Sequence, residues 1–248
     1  QAVNSKMYIP VDGSMEFSPT YLSGSPTNNQ YLSLPASNNY VFAGDFTIEC
    51  WVKFKNVTDV FQSFLGQYIS SLPWLLQMNR EQLRLIGNFD GNYTEVNSSI
   101  LTVNTWYHIA LVRSGTNLKI YVNGVNNGSA IITSIVGDIN YNVTIGSGNS
   151  GGNDRTNGFI SNVRFVKGVA VYISNFMPPN SRLTAIQNAN ANGNPSAAIT
   201  SGQTTFLLNT TFDAKYLKDN SSNGVTVLNY NGSSLTDGMA TSSSQNPF

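Results

Sequence analysis

The chain contains one histidine, His108, the side chain best suited to general acid–base chemistry near neutral pH. No acidic residue lies near it in the sequence, and no serine nucleophile elbow, in which a strand turns sharply into a helix, is predicted. His108 instead occurs in an alternating segment between Trp106 and Ala110, a pattern typical of a histidine packed within a strand. It is therefore predicted to be structural.

The single cysteine, Cys50, excludes an internal disulfide and a cysteine-rich zinc site. It lies in the segment FTIECWVKF (46–54), where one face carries Phe46, Ile48, Cys50, Val52 and Phe54. This period of two predicts a half-buried strand with Cys50 facing the core. A thiol buried among apolar side chains has a raised pKa and is unreactive, so Cys50 is predicted to fill space rather than to react.

The same alternation recurs along the chain and predicts an all-β protein. Residues 106–114 and 118–122 alternate on either side of a Ser-Gly-Thr-Asn loop and are predicted to form a β-hairpin. Further strands are predicted at 30–34, 62–68, 73–79, 82–89, 142–147, 159–166, 204–209 and 225–230. Polar turns separate these segments and no long helix is indicated, so the predicted architecture is an antiparallel β-sandwich.

Composition narrows the classes of partner. The 13 basic and 13 acidic residues cancel, so the chain has no net positive charge for nucleic acid, and we expect none as a partner. The longest apolar runs, such as Ile109–Val112, are too short for a membrane span. The first twenty residues lack the apolar core of a secretory signal, so no targeting segment is predicted there.

Several motifs, in order, resemble concanavalin A-like lectin/glucanase domains of the laminin-G type. They are YLSLPAS from Tyr31, GDFTIECWV from Gly44 and WYHIALVRSGTNLKIYVNG from Trp106. The run GFISNVRFVKGVAVYISNFMPP from Gly158, followed by RLTAI from Arg182, is similar to the laminin-G-like domains of structural proteins of tailed, notably marine, bacteriophages. The resemblance implies a concanavalin A-like jelly roll of two curved antiparallel sheets.

The resemblance also implies a division of the chain. The sandwich is expected over residues 21–235, with an N-terminal arm at 1–20 and a C-terminal tail at 236–248. Residues 184–204, rich in Gly, Ala, Asn and Ser, show no strand pattern and are predicted to form a polar surface insert. Because ordering an arm costs backbone entropy, we expect residues 1–20 to pack on a neighbouring subunit or another virion protein.

The superfamily named by the resemblance includes glycosidases, which need two carboxylates flanking the scissile bond. In the glucanase branch these carboxylates come from a Glu-x-Asp-x-x-Glu strand. The four glutamates are Glu16, Glu49, Glu81 and Glu95. None of them occurs in that motif, so the protein is predicted not to be an enzyme, and no catalytic residue is assigned.

Two kinds of binding site follow from the resemblance. Many laminin-G-type domains hold one structural calcium at the rim of the sandwich, where aspartate and loop carbonyls supply oxygen ligands. The candidates are the turn residues Asp90, Asp138 and Asp154, although aspartate is also an ordinary turn former. A carbohydrate site would need an aromatic platform, for which the candidates are Trp74, Tyr93 and Tyr141; aromatic residues of a sandwich are more often packed in its core.

Together these features predict a non-enzymatic structural protein on the surface of a phage virion, either a capsid decoration or a tail- or fibre-associated protein. Its expected partners are capsid or tail proteins of the same virion, and a homo-oligomer is left open. The alternative is a carbohydrate-binding adhesin that attaches the virion to host or matrix glycans. A glycoside hydrolase is the least favoured reading. No membrane contact is expected, and no cofactor other than the candidate calcium.

Overall fold

The computed structural model describes residues 13–18, 21–22, 25–26, 30–56, 61–148, 154–209, 217–231, 241–243 and 247. In these residues the helices are two short 3-10 turns, Asn38–Tyr40 and Ala191–Gly193, and neither could cross a membrane. The strands, in chain order, are β1 (Ser14–Phe17), β2 (Tyr21–Leu22), β3 (Ser25–Pro26), β4 (Gln30–Leu34), β5 (Phe46–Phe54), β6 (Phe61–Gln67), β7 (Trp74–Asn79), β8 (Gln82–Phe89), β9 (Asn92–Ile100), β10 (Tyr107–Ser114), β11 (Asn117–Val122), β12 (Val125–Ile131), β13 (Val143–Ile145), β14 (Gly158–Lys167), β15 (Thr204–Leu208), β16 (Leu228–Asn231) and β17 (Thr241–Ser243).

Two antiparallel sheets contain most of these strands and form the predicted sandwich. The first sheet has the order β12-β11-β10-β5-β14-β1-β17, and β15 pairs with the second half of β14. The second sheet has the order β16-β4-β13-β6-β7-β8-β9. The short strands β2 and β3 form a separate two-stranded sheet. In the first sheet β5 lies between β10 and β14, so residues on these three strands are neighbours across the sheet.

The core lies between the facing sides of the two sheets. The five predicted inward residues of β5, including Cys50, are at most 1% exposed. The predicted core positions on the hairpin, Ile109, Leu111, Ile120 and Val122, are also buried. Burial, and then the charge of Glu49, raise the pKa of the Cys50 thiol. The inward facing predicted from the alternation is therefore confirmed.

Two strands at the sheet edges are not predicted from the sequence. β9 and β12 lie at the ends of the second and first sheets, respectively. Most of their residues are exposed or half-buried, so the apolar alternation that identifies a strand is weak in NYTEVNSSI and VNNGSAI. By contrast, the predicted bounds 46–54 and 82–89 are those observed.

The expectation that the chain termini lie outside the sandwich is wrong where the structure describes them. β1 pairs with β14, and its residues Met15 and Phe17 are 2% and 0% exposed within the core. β17, from the predicted tail, pairs with β1. The N-terminal strand buries two large apolar side chains and gains a hydrogen-bonded neighbour on each side, which offsets the entropic cost of ordering it. The predicted arm contacts of residues 1–12 lie outside the described residues.

Residues 169–203, which we call the cap, lie over the outer face of the first sheet. The Oγ1 of Thr47 on β5 donates to the Val169 carbonyl at 3.0 Å and accepts from the Val171 N–H at 2.8 Å. Ile199, within the predicted surface insert 184–204, is 0% exposed. The insert is therefore not wholly a surface loop, and its last residue, Thr204, begins β15.

A tight turn between β11 and β12 positions one end of the cap. Asn123 and Gly124 have φ values of 48° and 75°, as expected for the Asn-Gly turn of a hairpin. The Phe176 N–H donates to the Gly124 carbonyl at 2.9 Å. A Cβ at position 124 would lie 1.8 Å from the Phe176 carbonyl oxygen, so only glycine permits this approach of the cap.

Candidate functional site

A group of ionisable side chains lies between the first sheet and the cap. On β5, Glu49 points away from the core, and its Cα is directly opposite Arg164 of β14. His108 projects from the same face of β10, where its Cα is opposite Trp51, two residues after Glu49. Tyr172 reaches the group from the cap. We call these four residues, Glu49, His108, Arg164 and Tyr172, the ionic cluster.

Both oxygens of the Glu49 carboxylate are occupied. Oε1 accepts from Nε and Nη2 of Arg164 at 2.8 and 2.5 Å. Oε2 accepts from the hydroxyl of Tyr172 at 3.1 Å and lies 3.0 Å from Nε2 of His108, which donates to it when the proton is on that nitrogen. The Nη1 of Arg164 donates to the Thr184 carbonyl and to Oε1 of Gln187, both in the cap, at 2.8 and 2.9 Å.

The electrostatics of the cluster favour a permanent ion pair. The side chains of Glu49, His108 and Arg164 are fully buried. Burial alone would raise the pKa of Glu49, but the charge of Arg164 and the hydrogen bond from His108 outweigh it and lower that pKa to about 2. Burial, and then the negative charge of Glu49, raise the pKa of Tyr172. A carboxylate held in this way cannot act as a general acid near neutral pH.

Sequence reasoning correctly predicts a packed His108 but misses its partner. Glu49 is 59 residues from His108 and 115 from Arg164, so no short motif connects them. The available signal is that each is an ionisable residue on the outward side of a strand whose residues are mostly apolar. The cluster therefore attaches the cap to the sheet, a structural task.

A second polar group lies on the outer face of the second sheet, where it is buried at Ser63 and Gln77 and exposed at Tyr93 and Glu95. It crosses four neighbouring strands, from Ser63 on β6 through Gln77 on β7 and Arg84 on β8 to Glu95 on β9. Tyr93, two residues before Glu95, lies on the same face. We call these five residues, Ser63, Gln77, Arg84, Tyr93 and Glu95, the polar strip.

Hydrogen bonds connect the strip from one strand to the next. Gln77 Nε2 donates to Ser63 Oγ at 2.8 Å, and Gln77 Oε1 accepts from Nε and Nη2 of Arg84 at 3.0 and 2.5 Å. Arg84 Nη1 lies 3.3 Å from Oε2 of Glu95, which also accepts from the Tyr93 hydroxyl at 3.0 Å. The guanidinium carbon of Arg84 lies 4.7 Å from the ring centroid of Phe61. The interactions hold these side chains in fixed positions beside Tyr93, which is 57% exposed.

Two carboxylates interact with the strip, its own Glu95 and the neighbouring Asp154, and their pKa values shift in opposite directions. Burial favours a higher pKa for Glu95, but the hydrogen bond from Tyr93 and the charge of Arg84 lower it overall. Asp154 accepts from Gln77 Nε2 at 3.0 Å, and burial raises its pKa despite that bond. Glu95 is therefore a charged acceptor on an accessible surface.

The three predicted sugar-binding aromatic residues lie in different places. Trp74 is 0% exposed in the core, with its ring 6.2 Å from that of Phe165, so it cannot be a surface platform and that prediction is wrong. Tyr93 is exposed on the polar strip. Tyr141 is 40% exposed in a loop next to β13. Only Tyr93 has an exposed ring and charged hydrogen-bonding neighbours together.

The predicted calcium ligands are separate turn residues. The Asp90 carboxylate accepts from the N–H and Oγ1 of Thr133 at 2.8 and 2.7 Å. Asp138 Oδ1 accepts from the N–H and Nδ2 of Asn140, both at 2.9 Å. Within the described ranges no three His, Cys, Asp or Glu side chains come together as a metal-binding group. A rim calcium, at these residues or at Asp154, stays a prediction.

Comparison with known families agrees with this architecture. The Laminin_G_3 family model, described as belonging to the concanavalin A-like lectin/glucanases superfamily, matches residues 6–170. The match covers more than half of the chain, and the chain therefore belongs to this laminin-G family of lectin-like sandwiches. No curated protein matches the chain.

Three solved structures are similar to this chain at low sequence identity. A Bacteroides ovatus protein, provisionally described as carbohydrate-binding, has 18% identity and a TM-score of 0.56 over 87% of this chain and 58% of its own. A heptameric SAP-like pentraxin from Limulus polyphemus has 16% identity and a TM-score of 0.47 over 64% of this chain and 77% of its own. Domains LG4-5 of the mouse laminin alpha1 chain have 13% identity and a TM-score of 0.48 over 62% of this chain and 40% of their own. This chain thus spans little more than half the length of the Bacteroides protein.

Proposed function

We propose that the protein is a non-catalytic carbohydrate-binding sandwich and that the polar strip is its binding surface. The observation that carries the proposal is the exposed ring of Tyr93 beside the fixed Arg84–Glu95 pair. An accessible aromatic face offers an apolar surface to a sugar ring, while guanidinium and carboxylate groups bond its hydroxyls. The lectin-like fold, and a structural neighbour provisionally described as carbohydrate-binding, support this choice.

The carboxylates argue for binding rather than hydrolysis. Glu49 is buried in an ion pair with both oxygens engaged. Glu95 has a lowered pKa, whereas a glycosidase acid needs a raised one. Asp154 has a raised pKa, but its Oδ2 accepts a hydrogen bond from Gln77. Glu95 is therefore the exposed carboxylate of the polar strip, and neither Glu95 nor Glu49 has the raised pKa that a glycosidase acid needs.

The test is a glycan array, followed by titration of any bound glycan into the wild-type protein and into the variants Tyr93→Ala and Tyr141→Ala. Tyr93→Ala should weaken binding by about tenfold or more, which is about 1.4 kcal/mol. Tyr141→Ala is the matched control, because it removes an exposed tyrosine outside the strip, and it should leave the affinity unchanged. Equal losses in both variants, or an empty array, would refute the assignment of the strip.

A screen for polysaccharide turnover tests the non-catalytic part of the proposal. We expect no reducing ends to be released by the purified protein. If turnover is seen, it is measured again in the variants Glu95→Gln and Glu49→Gln. Turnover that disappears in these variants would show that the protein is a glycosidase.

We also propose that the protein acts on the surface of a tailed-phage virion, with capsid or tail proteins as neighbours. The support is the order of motifs after Gly158, which resembles phage structural proteins. Mass spectrometry of purified particles, combined with an averaged electron-microscopy map, tests this location. Finding the protein in infected-cell lysate and never in particles would rule it out.

A further inference from the structure

The loop that joins β6 to β7 lies beside the polar strip. The Asn88 N–H donates to the Leu72 carbonyl at 2.9 Å, and Nδ2 of Asn88 donates to the Ser71 carbonyl at 2.7 Å. On the other side of β8, Asn88 is directly opposite Tyr93 of β9. The loop and Tyr93 therefore lie on either side of one strand, and the loop begins with a second exposed tyrosine, Tyr68.

Contacts on the outer face of the second sheet hold this loop in place. Leu72 has a φ of 44°, in the left-handed region that a leucine rarely adopts, so the surrounding structure must maintain it. The Leu72 N–H donates to the Ile69 carbonyl at 2.8 Å, and the Leu72 side chain packs with Leu75 and Ile86 in an apolar cluster separate from the main core. The Cα of Ile86 is opposite Glu95 of the strip. The loop is thus attached to the strip, and a surface that is already ordered loses little entropy when it binds a ligand.

Tyr68 and Tyr93 supply two exposed aromatic rings on this face. They are 36% and 57% exposed, respectively. Burial, followed by the hydrogen bond and the charge of Glu95, raises the pKa of Tyr93, and Tyr68 adds to this shift, so the two phenols are close enough to interact. Because Asn88 lies between them, their backbones are at least about 10 Å apart, which is two strand spacings. A sugar ring stacked on one tyrosine therefore leaves the other uncovered, whereas two linked rings can contact both.

The charged groups on this part of the face offset one another. Arg84 pairs with Glu95. Burial raises the pKa of Asp154, and the nearby charges of Arg84 and Arg155 oppose that rise. Two guanidinium groups thus accompany two carboxylates, so an acidic glycan would lose hydration here without meeting a net positive charge. Sugar hydroxyls suit the surface better, because the amide oxygen of Asn88 and the carboxylate of Glu95 can each accept a hydrogen bond from one.

We infer that the polar strip binds an uncharged glycan through at least two linked sugar rings, with Tyr93 against one ring and Tyr68 against the next. Asn88, between the two tyrosines, bonds the hydroxyls near the link. The inference rests on the proposed glycan binding by the strip, and it adds the class of glycan, its minimum length and a second contact residue.

The experiment titrates matched neutral and acidic sugars into the full chain, with ligand-observed NMR as the readout. The neutral probes are glucose oligosaccharides with α-1,4, β-1,4 or β-1,3 links and β-1,4-linked mannose oligosaccharides, each with one to three rings. The acidic probes are the same sugars oxidised at C6 to uronates. We expect at least one neutral series to gain about tenfold in affinity from one ring to two, and its uronate counterpart to bind about tenfold more weakly. An acidic series that binds as tightly as its neutral counterpart, or a single ring that binds as tightly as two or three, would overturn the inference.

Variants separate this inference from the proposed function. Tyr68→Ala should lower the affinity for the two-ring probe about tenfold and leave the one-ring affinity unchanged, while Tyr68→Phe, which keeps the aromatic ring, should bind as the wild type does. Tyr141→Ala is the matched control, because Tyr141 is exposed to a similar degree, 40%, outside the strip. If Tyr93→Ala weakens binding and Tyr68→Ala does not, the inference is wrong and the proposed function stands. If no probe binds, or if Tyr93→Ala has no effect, both are wrong.

Discussion

Replacing Glu49 with glutamine would leave the guanidinium of Arg164 buried without its counter-charge. Breaking a buried ion pair from one side costs about 3–5 kcal/mol, because the remaining charge stays out of water. The pKa gives a similar figure: its lowering from 4.5 to about 2 corresponds to about 3 kcal/mol of stabilisation of the charged carboxylate. We therefore expect Glu49→Gln to lower the free energy of unfolding by about 3 kcal/mol.

Urea denaturation followed by tryptophan fluorescence measures this loss. The matched control is Glu95→Gln, which breaks the pair with Arg84, where the side chains of Glu95 and Arg84 are 30% and 12% exposed. That change should cost about 1 kcal/mol or less, as is usual for ion pairs that water can reach. The double variant Glu49→Gln/Arg164→Met removes both buried charges and should recover part of the stability lost in Glu49→Gln.

Two results would refute this reasoning. A loss below about 1 kcal/mol in Glu49→Gln would show that the guanidinium of Arg164 can reach water when its partner is removed. A double variant no more stable than Glu49→Gln would show that the cost lies in altered packing or in lost contacts of Arg164 with the cap, and not in an uncompensated charge.

The remaining predictions concern pH, the core and metal. Since the pKa of Glu49 is lower in the folded protein than in the unfolded chain, its stabilisation is complete above pH 4.5 and disappears as the pH falls towards about 2. Urea melts of the wild type and Glu49→Gln should converge over that window, and a constant difference would contradict the pKa. Ile109→Ala should cost about 2–5 kcal/mol in the same melts, and a loss below about 0.5 kcal/mol would mean that it does not face the core. EDTA and added calcium should leave the Tm unchanged; a fall and a recovery would instead indicate a calcium at Asp90, Asp138 or Asp154.

Much of the fold follows from patterns within single strands. In β5 and in the β10–β11 hairpin, apolar residues recur at every second position, and a strand places alternate side chains on opposite faces. That rule is local, so the inward facing of Cys50 and Ile109 could be predicted without knowing what lies opposite. The edge strands β9 and β12 do not show this alternation of apolar residues, because most of their residues are exposed or half-buried.

The candidate sites depended on contacts that no local pattern encodes. Trp74 and Tyr93 are both aromatic residues at or near the start of a strand, yet one is buried and the other is exposed, because Trp74 faces the core between the sheets and Tyr93 faces outward from an edge strand. The sequence offered both residues as candidates for a sugar platform and could not separate the exposed Tyr93 from the buried Trp74.

By itself, the sequence determined the all-β class, the alternation of β5 and β10, and the absence of a glucanase carboxylate motif, since each is a property of neighbouring residues. Only the tertiary structure decided that Glu49, His108 and Arg164 meet, because their contact requires three strands to pair side by side. It also decided that this group is buried. The outward face of β5 would be open to water in a plain sandwich, and it is dry here because the cap covers it. Burial alone would raise the pKa of Glu49, and only the meeting of the three strands supplies the charge of Arg164 and the hydrogen bond from His108 that lower it to about 2.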